Sequence, residues 1–332
     1  MGDAVVELKN VRRAFASVVA LADLSFEVPR GTITVLLGPN GAGKTTAARI
    51  ITGALGVEQG SVRTFGLDPT GPDGQEIRRR CGVVAAKPAL YDRLTGRDNL
   101  TYAAQLYRLG PGAPIQASAA RFGIAESLDV RVGGYSTGMK TRLALARATL
   151  HDPELLLLDE PTSGLDPESA HAVLALIDEM AAAGKTVVTC THLLLEAEGL
   201  ADQVVMLDAG RDLLSGPPAE LVRRFWPLPS VVFDADEREG LDRLAQFPGV
   251  ASYERSDGPA VLMVEDLGVV ADLVAALVGA GVRLRKVAPH EPTLEELYFA
   301  VRNAGQAPSA PGVGGRFSGA LAAAAAAGMS DG

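Results

Sequence analysis

The chain has 332 residues and a mass of 34.4 kDa, with 31 basic and 40 acidic side chains and a net charge of −9. Apolar residues make up 47% and charged residues 21%, which supports about two cored domains and excludes wholesale disorder. The acidic balance argues against a nucleic-acid coat, which needs a cationic face to displace counterions. The two distant cysteines, Cys81 and Cys190, exclude a disulfide framework or a zinc module. No run approaches the ~20 apolar residues of a membrane-spanning helix. The first residues, Met1-Gly2-Asp3-Ala4, carry no basic region followed by an apolar stretch. The expectation is a soluble, cytosolic protein.

In chain order, β-rich runs predict strands over 5–8, 24–28 and 32–37, with Pro29-Arg30-Gly31 as a turn between the last two. The run 32–37 has no polar face, as befits a central strand covered on both sides. A glycine-rich loop from Gly38 and a helix over 45–50 follow. From about Glu76 to Leu150 the pattern turns helical, most clearly over 99–109 and 116–127, and reads as a helical subdomain. Apolar strands return at 154–158, 186–190 and 203–207, with a helix over 168–183 between the first two. This alternation predicts a largely parallel α/β sheet. The texture changes after Pro217-Pro218 and Trp226-Pro227-Leu228-Pro229. Strands are expected at 231–235, 250–255, 260–265 and 282–287, and helices at 237–246, 267–278 and 293–302. Ser256-Asp257-Gly258 reads as a hairpin turn. The order β-α-β-β-α-β predicts a small α+β domain of ferredoxin-like type over 228–303. The Gly/Ala/Pro-rich segment 304–332 reads as a disordered tail.

The chemistry sits in two places. Gly38-Pro39-Asn40-Gly41-Ala42-Gly43-Lys44-Thr45 fits the phosphate-loop pattern G-x-x-x-x-G-K-[ST]. Its glycines let successive N–H groups turn inward around phosphates, and the helix that follows adds the positive end of its dipole. Lys44 is placed to reach the β- and γ-phosphates, and the Thr45 hydroxyl to ligate Mg²⁺. Downstream, Leu155-Leu156-Leu157-Leu158-Asp159-Glu160-Pro161 is a buried strand delivering two carboxylates at its carboxyl end, where open α/β sheets bind ligands. Asp159 can hold Mg²⁺ through water, and Glu160 can polarise an attacking water. An apolar strand ending in Asp-Glu is common by itself; behind a phosphate loop it acquires this meaning.

Further motifs carry a resemblance to a family. Tyr135-Ser136-Thr137-Gly138-Met139, before a helical stretch and the acidic strand, resembles the signature motif of ABC ATPases. Ser163-Gly164-Leu165-Asp166-Pro167 matches that family's D-loop, His192 its switch histidine, and Phe15 the aromatic that stacks on adenine. The resemblance runs over residues 5–225. It implies a P-loop NTPase fold of ABC ATPase type over 1–225, with the helical subdomain at about 76–150. It implies ATP held by Phe15, by Gly38, Pro39, Asn40, Gly41, Ala42, Gly43, Lys44, Thr45 and Thr46, and by Ser136, Thr137, Gly138 and Asp166. Mg²⁺ falls to Thr45 and Asp159; catalysis falls to Glu160 as general base, with His192 at the γ-phosphate and Lys44. Two copies pack head to tail in the family, so that each ATP lies between one phosphate loop and the partner's signature residues. Glu291-Pro292-Thr293-Leu294-Glu295-Glu296-Leu297-Tyr298 resembles the closing motif of drug and antibiotic exporter subunits. It also reads as a capped helix start, Thr293 with Glu296. The resemblance implies a peripheral subunit on the inner face of the membrane, working with a separate permease of ABC-2 type and with no nucleic-acid partner.

One element departs from the pattern. Where the family carries a glutamine that ligates Mg²⁺ and relays to the permease, the chain reads Ala85-Ala86-Lys87-Pro88, with Ala86 at the glutamine position. Thr137 and Met139 are milder departures in the signature. Two other readings are a degenerate cassette that binds ATP as a regulator and a soluble non-transport ABC ATPase. The second usually carries two cassettes or a long coiled-coil insertion, neither of which is present.

Overall fold

The computed structural model describes residues 4–255 and 258–304. The chain forms two compact units, Met1–Pro217 and Pro218–Gly332, so the division falls earlier than the expected residue 225. The tail expected over 304–332 lies outside the described residues but for Ala304. Ser256 and Asp257 of the expected hairpin turn lie outside them too.

The first unit is built on a nine-stranded sheet. Two long strands, β1 (Ala4–Phe15) and β2 (Val18–Pro29), form an antiparallel ribbon, and β3 (Ile33–Leu37) follows. Helix α1 (Lys44–Ile51) leads to β4 (Gln59–Thr64), then α2 (Gly74–Arg80) and β5 (Cys81–Val84). Helices α3 (Gly96–Leu106), α4 (Ile115–Arg121) and α5 (Thr137–Thr149) precede β6 (Leu155–Asp159). The unit closes with α6 (Pro167–Ala182), β7 (Thr186–Thr191), α7 (Leu194–Leu200), β8 (Gln203–Asp208) and β9 (Arg211–Gly216). The strand order is β4-β1-β2-β9-β8-β3-β7-β6-β5. Strands β5, β6, β7, β3 and β8 run parallel and form the half of the sheet that carries the chemistry.

Every residue of β3, β6 and β7 is buried, Asp159 at the end of β6 included, as strands covered on both faces require. Leu36, Ile50, Leu157, Val188 and Val205 belong to one core cluster that locks α1 to the sheet. Full burial of such a side chain is worth about 1.5–3 kcal/mol each.

Where the structure differs from the sequence reading, local geometry gives the reason. The helical stretch expected from Glu76 contains β5, a sheet strand paired in parallel with β6. Helix α3 starts before residue 99, because Thr95 and Asp98 form a capping box. The helix expected over 116–127 ends at Arg121, since Gly123 adopts φ +65°.

The second unit contains α8 (Pro218–Phe225), β10 (Ser230–Ala235), a 3₁₀ stretch Arg238–Gln246, β11 (Val250–Glu254), β12 (Ala260–Val264), α9 (Val269–Gly279), β13 (Leu284–His290) and α10 (Leu294–Ala304). Its antiparallel sheet has the order β11-β12-β10-β13. The expected helix over 237–246 is thus a 3₁₀ stretch, holding Leu241 and Leu244 in a core with Val231, Phe233, Leu262 and Leu273. Helix α8 packs on α10, which is why residues 218–225 belong to this unit.

Candidate functional site

Parallel register brings the functional loops together. Leu37 on β3 pairs with Thr191 on β7, and Asp159 on β6 pairs with Cys190. The next residues, Gly38, Glu160 and His192, therefore leave the sheet side by side at the carboxyl ends of three neighbouring strands. Such ends are where α/β sheets bind ligands.

The loop from Gly38 to Gly43 wraps the start of α1. Gly43 has φ +108°, and a Cβ there would come within 2.6 Å of the Leu21 side chain and 2.7 Å of the Ala20 carbonyl. Glycine is therefore required by both conformation and space. Pro39 and Asn40 form the outer bend, and Ala42 is buried beneath it, its carbonyl accepting from Gly210 N–H. Lys44 is 6% exposed, and its Nζ donates to the carbonyls of Gly38 (2.7 Å) and Pro39 (3.2 Å). The ammonium thus sits at the mouth of its own loop, 3.6 Å from Glu160 Oε1. Thr46 is half-buried in the first turn of α1.

On the facing strand, Asp159 Oδ2 accepts from the Thr45 hydroxyl at 2.8 Å. Its other oxygen, Oδ1, is buried without a hydrogen-bond partner, which leaves it open to a cation. Glu160 has φ +51°, a left-handed backbone that a non-glycine residue adopts at a penalty of about 1–2 kcal/mol. Its N–H donates to Cys190 O, and its own carbonyl accepts from Ser163 N–H. The side chain, 14% exposed, turns from the strand toward His192, whose Nδ1 lies 2.8 Å from Glu160 Oε2. Lys44, Glu160 and His192 thus form one bonded set, and Thr45 with Asp159 a second beside it. Burial pushes the neighbouring Cys190 thiol well above its ordinary value, so that sulfur is an inert packing group.

The other predicted site residues stand apart from it. Ser136 caps α5, its hydroxyl accepting from Met139 N–H at 3.2 Å. Thr137 beside it is exposed. Asp166 caps α6 by accepting from Ser169 N–H, and that bond holds its carboxyl below the usual range. Gly138 brings the two helix starts together: a Cβ there would sit 3.2 Å from Ser169 Oγ. The signature segment and the D-loop helix hence share one surface with two helix N-termini, a favourable place for anionic ligands. Phe15 ends β1 with 42% of its surface exposed, and the Arg13 guanidinium lies 5.0 Å from its ring centroid. Ala86 and Lys87 lie exposed in the loop after β5.

Sequence reading passed over Thr162, Thr191 and Glu196. The Thr162 hydroxyl donates to Glu196 Oε2 at 2.8 Å and that of Thr191 to the same oxygen at 3.4 Å. The only sequence signal was their position, next to motif residues and one helical turn beyond His192.

Comparison with known proteins agrees with this geometry. Residues 21–163 match the ABC transporter family model. Over 203 residues, 60% of this chain and 82% of the other, the chain is 37% identical to the ABC transporter ATP-binding protein NatA of Bacillus subtilis (strain 168). It is 32% identical to the daunorubicin resistance ATP-binding protein DrrA3 of Streptomyces coeruleorubidus, across 90% of this chain and 96% of that one. Among solved structures, an ATP binding subunit of an ABC transporter superposes with a TM-score of 0.60 at 31% identity, covering 67% of this chain and 93% of the other. With a glycine loop, an acidic strand end and His192 side by side on this sheet, the chain belongs to the ABC transporter family as an ATP-binding subunit that hydrolyses ATP to drive transport.

Proposed function

We propose that the chain energises export of a drug, an antibiotic or another hydrophobic small molecule through a separate integral permease of ABC-2 type. The carrying observation is the bonded set Lys44–Glu160–His192 with Thr45–Asp159, which pairs a phosphate cradle with a base. The direction of transport is supported by likeness to the daunorubicin resistance protein along nearly the whole chain, the second unit included. No helix of the described residues is long and apolar enough to cross a membrane. In this reading the transmembrane path belongs to the permease, and the chain sits peripherally on the inner face.

In this reading the N–H groups of residues 38–45 and the Lys44 ammonium hold the β- and γ-phosphates of ATP. Phe15 offers its ring to the adenine. Glu160 accepts a proton from water as its oxygen attacks the γ-phosphorus and the bond to ADP breaks. His192, held by Glu160, contacts the γ-phosphate. The residues fit Mg²⁺: Thr45 Oγ1 and the unpartnered Asp159 Oδ1 are hard oxygen donors, and such an ion takes its remaining ligands from phosphates and water. When bound, it supplies neutralisation of the phosphate charge. Ser136, Thr137, Gly138 and Asp166 serve the ATP of a second copy in a head-to-tail dimer, which their exposed helix starts support.

The second unit is read as ferredoxin-like. Counted within the unit, its strands lie in the order 2-3-1-4, all antiparallel, with a 3₁₀ stretch and a helix as the two crossovers.

The test is reconstitution with a separately expressed ABC-2 type permease, comparing Mg·ATP-driven efflux from vesicles for the wild type and Glu160→Gln. Efflux that depends on the wild type supports the proposal; ATP turnover without any effect of the permease defeats it.

A further inference from the structure

The loops that carry Glu160 and His192 are both tied to one carboxylate outside the motifs. Thr162, two residues beyond Glu160, is buried and donates to Glu196 Oε2 at 2.8 Å. Thr191, adjacent to His192, is buried and donates to the same oxygen at 3.4 Å. The Thr191 hydroxyl accepts from Leu193 N–H at 3.0 Å, which leaves its proton for Glu196. Glu196 lies in the first turn of α7, a helix without a side-chain N-cap bond. Its oxygen faces the two threonines of the neighbouring loops.

We propose that Glu196 is a positioning residue for ATP hydrolysis, holding the Glu160 loop and the His192 loop in register through Thr162 and Thr191. This rests on the reading of Glu160 as base and His192 as the γ-phosphate contact. The physical need is specific. Glu160 occupies a left-handed backbone conformation, and such a residue persists only where its surroundings over-determine it. Two backbone bonds, Glu160 N–H to Cys190 O and Ser163 N–H to Glu160 O, hold it from within. The Thr162–Glu196 bond is the side-chain tie that prevents the following turn from relaxing. The Thr191 tie fixes the strand end from which His192 leaves. Loss of Glu196 therefore loosens the 2.8 Å Glu160–His192 contact without touching the phosphate loop.

The experiment is steady-state ATP turnover of the purified full-length chain for Glu196→Ala, Glu196→Gln, Thr162→Val and the Glu196→Ala/Thr162→Val pair, with Tm recorded for each. Misplacing reacting groups by about 1 Å lowers rates on the order of 100-fold, so kcat for Glu196→Ala is expected to fall at least ~10-fold. The KM for ATP should stay within about twofold, because the phosphate loop is untouched. Glu196→Gln keeps an acceptor oxygen and should recover most of the rate. The double variant should be no slower than the slower single one, since both break the same tie. The proposal is overturned by an unchanged kcat in Glu196→Ala and Thr162→Val, by a loss confined to KM and Tm, or by Glu196→Gln being as slow as Glu196→Ala. Glu160→Gln is run alongside. If it turns over ATP like the wild type, the assignment of the base fails; if it is inactive while Glu196→Ala is fully active, the positioning role alone fails.

Discussion

The two functional edges of the first unit are built on opposite principles. At the carboxyl ends of β3, β6 and β7, Glu160 holds both Lys44 and His192 while Asp159 holds Thr45; Lys44 and Asp159 are buried, and Thr45 and His192 reach the surface. At the starts of α5 and α6, Ser136 and Asp166 cap their own helices and lie at the surface. The first edge is a preorganised pocket wall whose side chains hold each other in place. The second is a pair of capped helix N-termini at the surface, each held by its own side-chain cap. Under the proposed function, the first edge serves nucleotide binding by the chain itself and the second serves turnover on pairing, and each half predicts a different failure.

The largest effect belongs to the first edge. Lys44→Ala removes the buried cation at the loop mouth and should weaken ATP binding on the order of 1000-fold, about 4 kcal/mol, read by calorimetry at fixed salt. Unchanged affinity would mean that the loop N–H groups alone bind ATP. Next, Glu160→Gln should keep ATP affinity and lose turnover by ~100-fold or more, since an amide cannot act as a base. Gel filtration with ATP should then show a trapped dimer; a monomer with normal turnover breaks the assignment.

Ser136→Ala examines the second edge. It removes the bond to Met139 N–H, at about 1 kcal/mol of helix stability, and should lower turnover about 10-fold while ATP affinity of the single chain stays within about twofold. A parallel loss of affinity would mean that both edges belong to one pocket. Ala86 sharpens the picture at the loop after β5. Because a methyl side chain can neither ligate a metal nor hydrogen-bond a water, the chain should bind ATP well but turn over slowly. Ala86→Gln should raise kcat by ~10-fold, about 1.4 kcal/mol of barrier. Equal kcat values at saturating Mg·ATP would show the substitution to be silent.

The smallest effect is a control outside both edges. The His151 ring stacks on Tyr107, with centroids 3.6 Å apart, and its Nε2 lies 3.1 Å from Cys81 O. Burial holds its pKa below the ordinary value of 6.5. As pH falls below about 6.5, the unfolded ring takes a proton that the folded ring resists, so this group's share of stability declines there. His151→Phe should show a shallower fall in Tm than the wild type between about pH 7 and pH 5, with ATP affinity unaltered. A wild-type slope no steeper than the variant's would remove His151 as the cause.

Much of this was legible in the sequence because it is local. A glycine loop followed by Lys44-Thr45, an apolar strand ending in Asp159-Glu160, and Ser136 or Asp166 before a helix each write their backbone geometry within a few residues. Helices α7 and α8 also escaped, but the strands that escaped are those whose only support is long-range. Strand β4, mostly exposed and with no apolar run, exists because it pairs with β1. There Gly60, at φ +83°, lets the backbone approach Asn10 O. Strand β5 is four residues of Cys-Gly-Val-Val, too short to show a period before β6 aligns it. Strand β9 is a half-buried run paired with β8.

By itself, then, the sequence determined the family and the order of its motifs: a glycine loop ending in Lys44-Thr45 and an apolar strand ending in Asp159-Glu160, each encoded by contiguous residues. Only the tertiary structure decided that Glu160 turns through a left-handed backbone onto His192, that Asp159 keeps one buried oxygen open, and that Glu196 ties two loops together. Those facts depend on the relative register of β3, β6 and β7. Register follows from burying all three strands at once in a single core, and no one of their sequences contains that information.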